Sequence, residues 1–359
     1  MINKASDQDV VSSLASALVH RLPEWYGDGA VLASRSVTIR VHPYSFFIGF
    51  PVKTSAGRQT LLAKIPRKPT LNTLTDALAA KGLQKIARDE YETSRVIRHA
   101  FEEENSPVCM YVEYLGFLEK WNALLMRQIK GRMLKEYLLN PSIALRIPKS
   151  LAQLQEYLIS STRWLSIFHH HVSGLQIVPF PVEDARTLME EIFSKLQERS
   201  KGQVDIKPYR AVLEQALEGM CDLHVPFGFL HADFQYSNIL VTPNGRVCVL
   251  DYALNYRGPI YFDLATLLID PQTRGAQILT SGRLIASDFI QSCKQLILNT
   301  YFDGEPYLGN VLDFYCTLAI LNKWSADEAD FSSGWRKIVS PILSRMTRRY
   351  YAKLLLQFH

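Results

Sequence analysis

The sequence predicts an α+β fold of two lobes, a small antiparallel β-rich N-lobe followed by a mainly helical C-lobe. Three observations carry this. Residues 37–65 hold short runs that alternate at strand spacing. Apolar residues recur at helical spacing over 133–170, 182–199 and most of 260–358. A short strand-like stretch at 226–251 is embedded in that helical region.

Taken in order, Val10, Val11, Leu14, Leu18 and Leu22 mark an amphipathic helix over 8–22, closed by Pro23. Val37-Thr38-Ile39-Arg40-Val41 alternates, as does part of Phe46 to Lys53. Thr60-Leu61-Leu62-Ala63-Lys64-Ile65 is a third strand, after a turn at Ser55-Ala56-Gly57-Arg58 and before Pro66. Together they form an antiparallel meander. Helical spacing returns over 73–103, with Gly82 as a break, and 108–129 is apolar and β-leaning. Gly131 ends that run, which places residues 1–130 in the first lobe and 131–359 in the second. Loops are expected near Asp303-Gly304-Glu305-Pro306 and Ser332-Ser333-Gly334.

Composition narrows the class. The chain has 359 residues, 47% of them hydrophobic and 21% charged, which excludes a disordered or collagenous chain. A net charge of +5 is too mild to argue for nucleic acid. No apolar run is long enough for a spanning helix, and the first residues show no secretory leader. Five scattered cysteines without a C-x-x-C pair fit a reduced cytoplasmic interior and give no zinc site.

Chemistry concentrates in one segment. Between apolar flanks, Gly228-Phe229-Leu230-His231-Ala232-Asp233 leads into Phe234-Gln235-Tyr236-Ser237-Asn238-Ile239-Leu240-Val241. The turn Thr242-Pro243-Asn244-Gly245 follows, then Val247-Cys248-Val249-Leu250-Asp251. This is a hairpin with Asn238 and Asp251 at the same open end. An amide oxygen beside a carboxylate suits Mg²⁺, a hard cation that also takes phosphate oxygens. A second carboxylate, Asp233, is placed to accept a hydroxyl proton, and these are the parts phosphoryl transfer needs.

His-x-Asp-x-x-x-x-Asn followed by a strand-borne Asp resembles the catalytic core of the protein-kinase-like fold. The form found here is similar to the aminoglycoside phosphotransferase and choline kinase superfamily, through Asn238-Ile239-Leu240, Leu250-Asp251-Tyr252 and Gly258-Pro259-Ile260-Tyr261-Phe262-Asp263-Leu264-Ala265. The resemblance implies Asp233 as catalytic base, His231 as a loop-orienting residue, Asn238 and Asp251 as Mg²⁺ ligands and Asp263 as a brace of the catalytic loop. Leu62-Ala63-Lys64-Ile65 resembles Val-Ala-Ile-Lys, which implies that Lys64 pairs nucleotide phosphates and that Glu90, or its competitor Glu92, holds Lys64. Leu124-Leu125-Met126-Arg127-Gln128-Ile129-Lys130-Gly131 looks like the hinge that bonds an adenine through its backbone, with Gln128 and Ile129 at its centre. Leu165-Ser166-Ile167-Phe168-His169 is similar to the family's Leu-x-x-Leu-His helix end. The correspondence spans residues 37–270 in order.

The departures are informative. No glycine-rich loop precedes Lys64, Tyr44-Ser45-Phe46-Phe47 standing in its place, and Asp251-Tyr252-Ala253 replaces Asp-Phe-Gly. Ala232 and Ser237 stand where the family often has glycine, and Gln235 where it often has histidine. The implied reaction moves the γ-phosphoryl group of ATP or GTP, with Mg²⁺, to a hydroxyl of a sugar, aminocyclitol or amino alcohol. The partners expected are nucleotide and small substrate, with no nucleic acid and no obligate protein partner. A degenerate binding scaffold and a peripheral membrane kinase are the alternatives. The basic stretch Arg345–Leu355 raises the second, although such a helix more often buries its Leu and Tyr residues on its own domain. His169-His170-His171 point about 100° apart on a helix and do not converge on one metal. Glu183, Asp184, Glu190, Glu191, Asp327, Glu328 and Asp330 could receive a cationic substrate, and Arg274 and Arg283 an anionic one.

Overall fold

In the computed structural model, which describes residues 4–33, 37–252, 254–330 and 336–357, the chain divides into two compact units. The first comprises Met1–Ser106, Met110–Gly131 and Tyr252–Leu254. The second comprises Pro107–Cys109, Arg132–Asp251 and Asn255–His359.

The first unit is a six-stranded antiparallel sheet backed by helices. Thr38–His42, Ser45–Thr54 and Gly57–Pro66 form the expected meander, joined by two-residue turns at Pro43-Tyr44 and Ser55-Ala56. Gly57–Pro66 then pairs with Ala123–Arg127, and that strand with Tyr114–Leu118. Phe46, Ile48, Phe50, Leu61, Ala63 and Ile65 bury one sheet face together with Val11, Leu14 and Leu18 of the helix Lys4–Val19. Asp7 on that helix accepts from the backbone N–H of Leu74 at 2.9 Å, which satisfies an orphan donor at the start of Leu74–Ala79. Pro23 does not end the first helix. It sits in the opening turn of a second one, Leu22–Tyr26, where a missing N–H costs nothing. Gly82, at φ +88°, separates Leu74–Ala79 from the long helix Leu83–Glu104, a left-handed position that glycine takes without strain.

The second unit is mainly helical. Its longest helices are Pro148–Ile167, Val182–Ser200, Ser287–Phe302, Gly309–Asp330 and Arg336–Leu355. Gly309–Asp330 packs on Val182–Ser200, Tyr261–Ile269 and Arg336–Leu355. The hairpin Ile239–Val241/Val247–Val249 is fully buried and pairs on its other side with Arg132–Met133. A three-stranded sheet, Gln176–Pro179, His224–Leu230 and Tyr256–Pro259, was not anticipated over its outer strands. Those strands are four residues each, Gln176–Pro179 mostly exposed and Tyr256–Pro259 exposed over its first two residues and buried over its last two, so neither shows an apolar alternation. The loop expected at Ser332–Gly334 lies outside the described residues, as does Ala253.

No described helix is long and apolar enough to cross a membrane. The basic C-terminal helix turns Tyr350, Tyr351, Leu354 and Leu355 into its own unit, and Trp324 stacks on Tyr351 at 5.6 Å between centroids. That packing consumes the apolar face a membrane would need.

Candidate active site

The segment that holds His231, Asp233 and Asn238 begins where the strand His224–Leu230 ends. Asp263, fully buried in the first turn of Tyr261–Ile269, accepts the backbone N–H of His231 at 2.7 Å on one oxygen and that of Ala232 at 2.8 Å on the other. The first of these oxygens also takes His169 Nε2 at 3.1 Å. The far ring nitrogen of His169 meets the Tyr301 hydroxyl at 2.6 Å. His169 is wholly buried, and burial pushes its pKa below the usual 6.5 although Asp263 opposes this. Neutral imidazole fits the geometry, with Nε2–H donating to the carboxylate and Nδ1 accepting from Tyr301. Of the three consecutive histidines, His169 serves this brace and His170 bonds within its own helix end, to the Ser166 carbonyl at 2.8 Å. Among the described residues no cluster of three His, Cys, Asp or Glu side chains could hold a metal.

His231 is 3% exposed and ties both ends of the hairpin segment together. Its Nδ1 accepts from the backbone N–H of Asp233 at 3.3 Å, and its Nε2 donates to the Leu250 carbonyl at 3.1 Å. Between them Ala232 adopts φ +62°. A side chain at that φ costs about 1–2 kcal/mol, and glycine in its place gives back about 0.5–1 kcal/mol to the unfolded chain. Ala232→Gly is therefore expected to stabilise the protein by roughly 0.5–1 kcal/mol, as read by urea denaturation. A loss of stability would mean that the methyl group packs favourably.

Asp233 carries two amide donors. Gln235 Nε2 donates to Oδ1 at 2.8 Å and Asn238 Nδ2 to Oδ2 at 2.6 Å. Asn238 Nδ2 also reaches the Asp233 backbone carbonyl at 3.0 Å. Asp233 keeps an exposed surface, yet the protein around its carboxyl withdraws enough water to raise the pKa above 3.8. The Gln235 and Asn238 hydrogen bonds oppose this, with smaller opposing effects from His231 and Lys323. Because the Asn238 amide hydrogens face Asp233, its oxygen is left as an acceptor. The backbone N–H of Leu250 donates to the Asn238 carbonyl at 2.8 Å, so the hairpin brings Asp251 to the same end as Asn238. Asp251 is at φ +58°. One amide oxygen and one carboxylate fit Mg²⁺, which takes few protein ligands and completes its shell with water and phosphate.

In the first unit Lys64 Nζ donates to Glu90 Oε1 at 2.8 Å, both side chains about nine-tenths buried. Glu92 pairs with Arg95 on the exposed side of the same helix. The Gln128 N–H donates to the Thr60 carbonyl at 3.0 Å, within the sheet, so its carbonyl is the backbone group left for a ligand. Gln128 is exposed and Ile129 half-buried. The acidic residues weighed as receivers of a cationic substrate are largely engaged: Glu183 with Arg186, Glu190 with Arg210, Glu191 with Lys195 and Glu328 with Arg348. Asp327 accepts from the Tyr351 hydroxyl, and Arg274 pairs with Asp270. Sequence reading missed Tyr301 and Gln235 as partners of this loop. Tyr301 is one of many tyrosines in a helix, with no local signal, whereas Gln235 was visible as a departure from the family pattern.

Solved structures share this fold across nearly the whole chain. A candidate aminoglycoside phosphotransferase from Ralstonia eutropha JMP134 aligns with a TM-score of 0.55 at 14% identity, covering 96% of this chain and 98% of that one. The Plasmodium vivax ethanolamine kinase gives 0.52 at 10% identity, covering 97% and 88%. A glucosamine kinase in complex with glucosamine, ADP and inorganic phosphate gives 0.53 at 11% identity, covering 95% and 99%. A search of the curated proteins matches none of them. The model of the phosphotransferase enzyme family APH matches residues 52–286, well over half of the chain and every side chain of the braced loop except Tyr301. The bilobal, protein-kinase-like chain described here therefore belongs to the APH phosphotransferase family.

Proposed function

We propose that this chain is a small-molecule kinase that transfers the γ-phosphoryl group of ATP or GTP, with Mg²⁺, to a hydroxyl of a sugar, aminocyclitol or amino alcohol. The observation that carries the reading is the orientation of Asn238. Its amide hydrogens are spent on Asp233, which leaves its oxygen as an acceptor on the hairpin end that also carries Asp251, and the Asp233 carboxylate held by two amide donors.

Asp233 is the base. It accepts the proton of the acceptor hydroxyl as the oxygen attacks phosphorus, and its raised pKa makes the ionised form a better base. His231 and Asp263 hold the backbone that fixes it. Lys64 donates to nucleotide phosphate oxygens, and Glu90 holds and aims its ammonium group. The Gln128 carbonyl and the backbone of Ile129 receive the base. Bound between Asn238 and Asp251, Mg²⁺ would supply positive charge to the phosphate oxygens. A sugar or amino alcohol as acceptor is supported by the glucosamine and ethanolamine kinases that share the fold.

The test is thermal stability with ATP, GTP or no nucleotide, each with and without Mg²⁺, on wild type and Asp251→Ala. A ligand at a hundred times its Kd stabilises by about 2.7 kcal/mol. The expected result is a Mg²⁺-dependent rise in Tm for wild type that Asp251→Ala loses. No rise with either nucleotide would overturn the kinase reading in favour of a binding scaffold. A rise unchanged in the variant would remove Asp251 from the metal site.

A further inference from the structure

The buried pair of Lys64 and Glu90 has a third member. Tyr114 opens the strand Tyr114–Leu118, whose register against Ala123–Arg127 slips between Tyr114 and Gly116. Such an irregularity re-aims the neighbouring side chain. Here the Tyr114 hydroxyl donates to Glu90 Oε1 at 2.5 Å, the same oxygen that receives Lys64 Nζ at 2.8 Å. Two donors on one carboxylate oxygen fix the carboxylate's rotation, and with it the direction of the lysine. With Lys64 and Glu90 each 7% exposed, water has little access to replace the phenol.

The ring of Tyr114 makes a second contact. It stands edge-on to Tyr252 at 6.5 Å between centroids and 75° between planes. Tyr252 is 1% exposed and is the next residue in the chain after Asp251. Its hydroxyl donates to the Val112 carbonyl at 3.4 Å, and the Leu254 N–H donates to Thr93 Oγ1, also at 3.4 Å, on the helix that carries Glu90.

We infer that Tyr114 is a positioning residue for phosphoryl transfer: its hydroxyl aims the Glu90–Lys64 pair at the nucleotide phosphates, and its ring seats Tyr252, the residue that follows Asp251. The inference rests on the kinase reading above and adds to it a group that touches no reacting atom.

The test compares Mg·ATP with adenosine, each titrated calorimetrically into wild type, Tyr114→Phe, Tyr114→Leu and Tyr111→Phe. Adenosine lacks the phosphates, so a merely structural defect moves both ligands alike. Tyr111 is the control, since its hydroxyl bonds Glu102 on the exposed side of the same helix. Tyr114→Phe is expected to weaken Mg·ATP by about five- to tenfold, less than the whole of one hydrogen bond to a charged group because the effect reaches the phosphates only through Glu90 and Lys64, with adenosine unchanged. Tyr114→Leu, which also removes the ring, should weaken Mg·ATP further, and Tyr111→Phe should match wild type. Mg·ATP affinity within about twofold of wild type in Tyr114→Phe would overturn the inference, as would equal losses for both ligands. If wild type itself binds Mg·ATP no better than adenosine, the phosphate role of Lys64 fails and the Tyr114 inference with it. That result is distinct from a normal wild type beside an unaffected Tyr114→Phe.

Discussion

Asp233→Asn is expected to reduce phosphoryl transfer by about 10²–10⁴-fold while Mg·ATP affinity stays within a few-fold. The substitution keeps shape and removes the ability to take a proton. It also turns one carboxylate oxygen into an amide nitrogen that must face the Gln235 or Asn238 donor, so one loop hydrogen bond is lost as well. Transfer from ATP to an acceptor found by screening sugars and amino alcohols measures the first effect, and calorimetry the second. Survival of transfer would remove Asp233 as the base. The pH profile gives an independent reading. As the proposed base, Asp233 would act ionised, and its pKa is raised, so activity is expected to fall as pH drops through a value above 3.8. Gln235→Leu deletes a donor that favours the ionised form, so its acid limb should move to higher pH than that of wild type.

The second large effect belongs to Asp263. Asp263→Ala strands three donors: the N–H groups of His231 and Ala232, and Nε2–H of His169. Orphaned buried donors cost about 1–3 kcal/mol each, with partial relaxation, so a loss of roughly 3–5 kcal/mol is expected. Urea denaturation should show a lower midpoint with an unchanged slope. Destabilisation under about 1 kcal/mol would mean that the loop finds other acceptors. The same brace sets an acid limit. Burial lowers the His169 pKa, so the unfolded chain takes up the proton first as pH falls. Stability is therefore complete above about 6.5 and declines below it, by at most about 1.4 kcal/mol per pH unit from this group.

Much of this was legible before any coordinates. The meander between Thr38 and Pro66 was legible because Phe46, Ile48 and Phe50 and then Leu61, Ala63 and Ile65 recur at every second position on the face packed with Leu14 and Leu18, whereas Thr38–His42 alternates in residue type although all of it is exposed. The hairpin around Asn244-Gly245 announced itself because a left-handed turn residue admits few side chains, and Gly245 is at φ +81°. Asp233, Asn238 and Asp251 stood out through spacing on one short stretch, and Asp263 through the resemblance carried by Gly258–Ala265. What escaped were partners set by distant chain. Tyr301 reaches His169 across 132 residues, and no local pattern encodes that contact. Glu90 and Glu92 are indistinguishable by type, and only the rotation of the helix directs one inward to Lys64 and the other to Arg95. The outer strands Gln176–Pro179 and Tyr256–Pro259 were hidden because four residues are too few to show an apolar alternation.

The brace that Asp263 gives the backbone of His231 and Ala232 also bears on how the chain acquires its order during synthesis. The loop's own residues emerge from the ribosome some thirty positions before Asp263, the acceptor for His231 and Ala232 at separations of 32 and 31 residues. His169 emerges earlier still, yet the hydroxyl that completes its hydrogen bonding arrives only with Tyr301. Contacts at such separations must overcome loop-closure entropy before they reward the chain, which puts them late in folding. A nascent chain cut short before residue 263 holds every side chain proposed for the chemistry and none of the acceptor that fixes their backbone. The backbone of His231 and Ala232 thus gains its fixed acceptor only after the segment that bears it has been made.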